Sequence, residues 1–372
     1  MKTANALRNG LLVASFILST GGATVSRAQQ SDTPRIENAQ VQTRSVSGTL
    51  AATMTELEKN STTALWVGYA VNALAGQSPI CCGNYNDGES CRKCALETGD
   101  ARNAVNARNE ASKSPVLLES GRRLTVLFRV QDKKLVRVKV ATEDCVLDGG
   151  GLPFVWLAEV KPPESVAFLG EYVHDENLGG HGGHSIGNEA LMAIGLHDGQ
   201  EAEGAMDSFT APAQPEELRK QAAFWLGVAR GKEGLAALQR MAKNDPSTEV
   251  RGHVAFALSV SKEPAALEEM IRMAHEDESG HVRGQAIFWL AQKAGKRAVS
   301  AIDGAIANDP DTDVKKQAVF ALSQLPKDEG VPKLIQVAEN NRNPEVRKQA
   351  MFWLGQSQDP RALSFFEKVL LK

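Results

Sequence analysis

Hydrophobic positions in the second half of the chain recur every 32 residues. Leu218, Val250, Val282, Val314 and Val346 form one column, Phe224, Phe256, Phe288, Phe320 and Phe352 a second, and Leu226, Leu258, Leu290, Leu322 and Leu354 a third. A further apolar set keeps the same spacing: Leu235, Leu267, Val299, Val331 and Leu363, then Leu238, Met270, Ile302, Leu334 and Phe366. Each period therefore holds two apolar stripes with helical spacing, about 12 residues apiece, parted by Gly, Asp, Asn and Pro. Self-similarity of this length marks a solenoid, here a stack of helix pairs over residues 215–372.

Upstream the pattern changes. Residues 65–71 read as a strand, and residues 124–130 and 135–140 alternate apolar and polar positions around Gln131-Asp132-Lys133-Lys134, as a hairpin does. Residues 154–157 suggest a fourth strand, so residues 62–160 are expected to form a small antiparallel β-domain. Residues 29–61, rich in Ser, Thr, Gln and Ala, read as a linker with a short helix around Met54 and Leu57. From Pro162 the pattern is helical, over 164–173 and again over 186–196. Ile186, Met192, Ile194 and Gly195 stand 32 residues before Leu218, Phe224, Leu226 and Gly227, which makes 161–214 a degenerate capping repeat.

The run Val-Arg-Lys-Gln-Ala-Met-Phe-Trp-Leu-Gly at 346–355, with Asn343-Pro344 before it and Asp359-Pro360 after, resembles a HEAT repeat. More narrowly it is similar to the short bacterial repeats of the phycobilisome-lyase HEAT-like type. The resemblance covers about the last half of the chain and implies a mainly α fold, an α-α superhelix, joined here to the small N-terminal β-domain. It also implies that the second helix of each pair lines the concave side, where such proteins bind partners. Some members are iron-dependent hydroxylases with repeated His-Glu pairs, but this chain carries a single pair, His275-Glu276, and bilin lyase activity finds no dedicated support.

On a wheel of roughly 100° per residue with Phe224 at zero, Leu218, Trp225, Ala222 and Leu226 fall near 120°, 100°, 160° and 200°. These four mark the buried stripe, and the Phe column points away from its centre. The residues one turn before it are Gln221, His253, Gln285, Gln317 and Gln349. Two arrangements fit: a Phe ladder flanked by Gln along a partner-binding groove, or rings that pack on one another through curvature. Trp225, Ala257, Trp289, Ala321 and Trp353 alternate large and small, and Ala223, Ala255, Ile287, Val319 and Met351 complement them across successive repeats, so the indoles are expected between repeats. Arg219, Arg251, Arg283, Lys315 and Arg347 form a basic column expected to bond carboxylates and carbonyls of adjacent turns, and Ser247, Ser279, Asp311 and Asn343 suit N-caps.

Charge and processing signals narrow the partners. Lys2 and Arg8, an apolar run over 11–25 and Ser26-Arg27-Ala28 read as a signal peptide spanning 1–28, in preference to an uncleaved anchor. Its removal takes three positive charges and moves the formal net charge from -3 to -6, which argues against nucleic acid as a partner. The expected location is periplasmic or extracellular, with no integral membrane segment after cleavage.

The five cysteines fall at 81, 82, 91, 94 and 145. Cys91-Arg-Lys-Cys94 has the gap of a zinc knuckle or redox pair, but an oxidising compartment favours disulfides. The expected pairing joins Cys81 and Cys82 to Cys94 and Cys145, leaving Cys91 over. A glycine loop brings His181 and His184 together as weak metal candidates. Within it, Gly183-His184-Ser185-Ile186-Gly187 matches a nucleophile-elbow pattern without the preceding strand it needs, and Ser185 reads as a helix N-cap. The residues thus point to an exported scaffold binding a protein or peptide, with no catalytic residue and no cofactor. The rival is an envelope enzyme or metal-dependent sensor using the cysteines and the His loop.

Overall fold

The computed structural model describes residues 34–75, 80–81, 84–85, 93–97, 123–143, 145–174, 178 and 185–371. The five-stranded sheet has the order β2-β10-β3-β7-β8, from β2 (Gln40–Ser45), β3 (Leu65–Asn72), β7 (Arg123–Gln131), β8 (Lys134–Thr142) and β10 (Pro153–Ala158). As the alternation predicts, β7 and β8 form an antiparallel hairpin. Asp132 and Lys133 take φ of 53° and 59° between the paired Gln131 and Lys134, the geometry of a tight two-residue turn.

The sheet is not antiparallel throughout. β10 runs parallel to both β2 and β3, which makes it mixed. The reason lies in the segment expected to be a linker. Residues 46–64 hold helix α1 (Leu50–Asn60), a crossover long enough to return the chain in the same direction, and β10 fills the gap between β2 and β3. β2 is exposed along its length, so its polar sequence QVQTRS suits an edge.

The central strands β3, β7 and β10 are buried on both faces of the sheet. Leu65, Val67, Tyr69 and Val71 alternate along β3 toward the helices, whereas Trp66 and Ala70 face a smaller core with Leu127, Phe154, Trp156, Cys94, Cys145 and Leu147. A three-stranded sheet of β1 (Ile36–Glu37), β9 (Val146–Asp148) and β6 (Lys93–Ala95) contributes Cys94 and Leu147 to that second core. Glu97, just past β6, fastens the two layers by accepting from Trp66 Nε1 (2.7 Å) and, with both oxygens, from Arg129 (2.8 and 2.9 Å). The Arg129 bond, with its charge, holds the Glu97 carboxyl below its usual range against the effect of burial. A short hairpin of β4 (Ile80–Cys81) and β5 (Asn84–Tyr85) lies against β8 through Ile80, whose N–H donates to Thr142 Oγ1.

The helices continue the first core without interruption, from Leu50 to Phe365. They are α2 (Pro162–Gly170), α3 (Ile186–Leu196), α4 (Gln200–Phe209), α5 (Glu216–Ala229), α6 (Gly231–Asn244), α7 (Thr248–Val260), α8 (Ala265–Glu276), α9 (Gly280–Ala294), α10 (Val299–Asn308), α11 (Thr312–Gln324), α12 (Lys327–Asn340), α13 (Pro344–Gln356) and α14 (Pro360–Leu370). The sheet caps the stack through Tyr69, Phe128, Phe168 and Tyr172, whose rings meet in sequence at 5.4–5.7 Å.

The basic column does what its spacing predicts. Arg219, Arg251 and Arg283 are buried, and each bonds the carboxylate 26 residues ahead, Asp245, Asp277 and Asp309, in the loop of the next repeat. Arg251, Arg283 and Arg347 also donate to the carbonyl six residues behind. Each of Asp245, Asp277, Asp309 and Asn341 accepts the N–H two residues on, so this acidic column orders the turn as well as joining repeats. Burial alone would raise the Asp309 carboxyl, but Arg283 and the Asp311 N–H hold it below its ordinary value. Where Asn341 replaces Asp, Lys315 replaces Arg and bonds the carbonyl of Ala307 within its own repeat.

Ser247, Asp311 and Asn343 cap their helices as expected, accepting from Val250, Asp313 and Glu345. Ser279 does not: its side chain makes no cap bond, and its own N–H goes to Asp277. No helix among the described residues is long and apolar enough to cross a membrane.

Candidate functional site: the inner face of the repeats

Helices α5, α7, α9, α11 and α13 pack along their lengths on one another, while α6, α8, α10, α12 and α14 touch only locally. That asymmetry places the first set, which carries the Phe column, on the inside of the stack. Small residues permit the approach. A Cβ at Gly227 would lie 2.2 Å from the carbonyl oxygen of Ala257 on the next inner helix.

The rings pack on one another and still stay partly open. Phe224 stacks on Phe256 (5.8 Å, 13°), and Phe288 stacks on Phe320 (6.0 Å, 5°). Trp289 bridges the gap, 4.7 Å from Phe256 and 4.9 Å from Phe288, and Trp353 does the same between Phe320 (4.9 Å) and Phe352 (5.0 Å). Trp225 meets Phe224 edge-on at the other end. The result is one unbroken aromatic ribbon across five repeats. It is not sealed, because Phe224, Phe256, Phe288 and Phe320 are half-buried and Phe352 is 54% exposed.

The indoles are less buried than the core place their spacing predicts. They do lie between repeats, but half-buried and as members of the ribbon. Neighbouring positions on a helix stand about 100° apart, so in closely packed inner helices the Trp of one repeat reaches the Phe of the last.

The polar flank also leans across repeats. Gln317 lies over Gly284 of the preceding inner helix, where a Cβ would meet its Oε1 at 1.5 Å, and Gln285 and His281 crowd Gly252 in the same way. His253 meets Phe256 edge-on (5.4 Å), and burial, helped by the Lys220 charge, lowers its pKa. Gln221 donates to Glu217 (2.9 Å), and this bond together with Lys220 holds the Glu217 carboxyl below its usual range. Gln349 is half-buried on α13.

A second polar arrangement, invisible in the sequence, joins sheet to stack. Tyr69 of β3, Ser165 of α2 and His197 at the end of α3 form a chain, with Tyr69 Oη to Ser165 Oγ at 2.8 Å and Ser165 Oγ to His197 Nε2 at 2.8 Å. His197 Nδ1 donates to the Ala193 carbonyl (2.7 Å), and Arg230 Nη1 donates to the His197 carbonyl (2.9 Å). With Nδ1 carrying the proton, Nε2 accepts from Ser165 and Ser165 accepts from Tyr69, so neutral imidazole satisfies every member. Burial, and then the Arg230 charge, push the His197 pKa down to about 4. Ser165 and His197 have the spacing of a nucleophile and its base, but Tyr69, Ser165 and His197 are all 0% exposed, so no substrate reaches them.

The remaining candidates are placed as follows. Ser185 caps α3, its side chain accepting from Asn188 N (3.1 Å). His181, His184, Cys82 and Cys91 lie outside the described residues, and Cys81 falls in β4. Cys94 and Cys145 are buried together in the core behind the sheet. His275 and Glu276 are exposed, and Glu276 pairs with Arg272. Among the described residues no group of three or more His, Cys, Asp or Glu is disposed to hold a metal.

A family model described as HEAT repeats matches residues 209–291 and 301–372. The stacked half of this chain is built of HEAT repeats. No curated protein matches the chain. Among solved structures, human deoxyhypusine hydroxylase in complex with glycerol is 16% identical, covering 55% of this chain and 89% of its own at a TM-score of 0.29. The CpcE–CpcF complex of phycocyanin lyase from Nostoc sp. PCC7120 is 18% identical, covering 56% and 80% at 0.29. A chain from a structure of Kap95p with RanGDP is 18% identical, covering 53% of this chain and 30% of its own at 0.33. Likeness at this level says nothing of what the present HEAT-repeat chain binds.

Proposed function

We propose that this HEAT-repeat protein is an exported scaffold that holds a protein or peptide partner along its inner helices and catalyses no reaction. The observation that carries the reading is the aromatic ribbon, which runs through five repeats, stays half-exposed and ends in the open Phe352. Self-packed rings keep their orientation before a partner arrives, so little side-chain freedom is lost on binding. Gln and His residues along the flank supply hydrogen bonds to a partner backbone without imposing a charge. This is the polar edge around an apolar strip that such interfaces favour.

Export rests on the segment 1–28 and on the cysteines. We take the Cys81/Cys82 pair as bridged to Cys94 and Cys145, and the sealed core position of the last two supports half-cystines over reactive thiols. Capture from an envelope fraction tests the scaffold reading. Wild-type protein retains a partner that the Phe288→Ala/Phe320→Ala variant loses, while circular dichroism shows both folded. Equal capture by the two proteins contradicts the groove.

A further inference from the structure

Inner helices carry tryptophan in every second repeat, at Trp225, Trp289 and Trp353, and a basic side chain follows the first two. Arg230 places its guanidinium on the carbonyl of His197, at the end of α3. Lys293 places its ammonium on three carbonyls at the end of α7, those of Ser259 (2.6 Å), Ser261 (2.6 Å) and Leu258 (3.5 Å). A helix C-terminus leaves its last carbonyls without helical donors and at the negative end of the dipole, so a cation there is stabilised.

At the third tryptophan the cation is missing from the sequence. The residue 64 positions after Lys293 is Ser357, whose short side chain turns back onto the Leu354 carbonyl of its own helix (2.7 Å). The residues 64 positions after the three carbonyl partners of Lys293 are Leu322, Ser323 and Leu325. These three, with Ser357 and Trp353, line a cavity of about 220 Å³. Gly330 forms part of its wall, at a point where a Cβ would lie 2.3 Å from the Leu322 oxygen and 3.5 Å from that of Leu325. The Trp353 indole N–H is buried without a hydrogen-bond partner; being a donor it bonds no ammonium, and its resonance serves as the reporter of what enters the cavity. Lys327, the charged residue of the lining, is exposed and is followed in the chain by Asp328 and Glu329.

We propose that this cavity binds a primary alkylammonium group supplied from outside the chain. The ammonium sits on the carbonyls of Leu322, Ser323 and Leu325 as Lys293 sits on those of Leu258, Ser259 and Ser261. The aliphatic stem lies against Leu334, Val331 and the face of Trp353. The cavity is smaller than the roughly 300–1,000 Å³ of sites for drug-sized ligands and suits one unbranched stem. The carbonyl set is argued from the helix ends and the internal repeat and not from the ribbon reading, although Trp353 belongs to both the cavity wall and the ribbon.

The test uses the full chain labelled with ¹⁵N, reading the Trp353 indole resonance, assigned through Trp353→Phe. Nα-acetyl-lysine methylamide and 1,4-diaminobutane are titrated separately, with Nα-acetyl-norleucine methylamide as the uncharged control. The expected result is a saturable shift with the amines and a response at least about tenfold weaker with norleucine. A stronger response to the lysine derivative marks a protein side chain as the source, and a stronger one to the diamine marks a free polyamine. Ser357→Lys supplies the ammonium internally, so it raises Tm and removes the shift. No saturable shift with either amine, or an equal response to norleucine, overturns the proposal. The wild-type comparison decides the matter even where Ser357→Lys does not fold.

Discussion

Replacing Arg251 with alanine removes the rung that joins the α7 repeat to the next. The guanidinium makes two bonds to Asp277, at 2.9 and 3.1 Å, and one to the carbonyl of Asp245, at 2.9 Å. The two side chains are 6% and 7% exposed, so the pair is screened little by water. Truncation leaves the Asp277 carboxylate buried, with the Ser279 N–H still donating to it at 2.8 Å within the turn. Breaking one partner of a buried pair costs about 3–5 kcal/mol, and we expect Arg251→Ala in that range. Asp277→Asn keeps the turn contact, as Asn341 does naturally, and is expected to cost about 1–2 kcal/mol. Urea unfolding followed by far-ultraviolet circular dichroism measures both, and the double variant closes a cycle with coupling on the order of 2 kcal/mol. Because repeats are stabilised mainly by their neighbours, the single transition is also expected to split at the weakened seam. A cost for Arg251→Ala below about 1 kcal/mol, or simple additivity with Asp277→Asn, refutes the reasoning.

Three further outcomes follow from the same geometry. His197 has a folded pKa of about 4 against an ordinary 6.5, so the unfolded chain binds the extra proton between these values. Its contribution is complete above pH 6.5 and is lost as pH falls toward 4, by about 3 kcal/mol, which urea midpoints across that window detect and His197→Gln flattens. Gly227→Ala drives a Cβ into the Ala257 backbone and is expected to cost at least about 2 kcal/mol in thermal unfolding. Trp289→Ala removes a half-buried bridge between two Phe rings and should cost about 2–3 kcal/mol, whereas Phe352→Ala at the exposed end should change stability by less than about 1 kcal/mol.

The repeat was readable because every 32 residues the same stripe must meet the same neighbour, so Leu226 and its equivalents repeat without slippage. The wheel placed the Phe and Trp columns individually but held no information on how near the next inner helix lies. Trp289 therefore reads as core in sequence and as a bridge in the fold. The Arg column was legible, with carboxylates and carbonyls of adjacent turns as its partners, but Asp245, Asp277 and Asp309 as those carboxylates, and the joint change to Lys315 and Asn341, emerge only from the fold. The β7–β8 hairpin was legible from local alternation and its two-residue turn. The pairing of β2 with β10 was not, because the partners lie more than 100 residues apart and an exposed edge carries no apolar signature. Tyr69, Ser165 and His197 come from three elements, and nothing local in any of them marks the contact.

The groove is tested most directly by photocrosslinking from a benzoylphenylalanine placed at position 352, against the same probe at the exposed outer-helix position 239. The account predicts that the inner position joins one discrete species from the envelope fraction, that excess Phe288→Ala/Phe320→Ala protein fails to compete for it while excess wild type does, and that the outer position joins none. Equal labelling from both positions, or labelling that the double variant competes away as well as wild type, contradicts it.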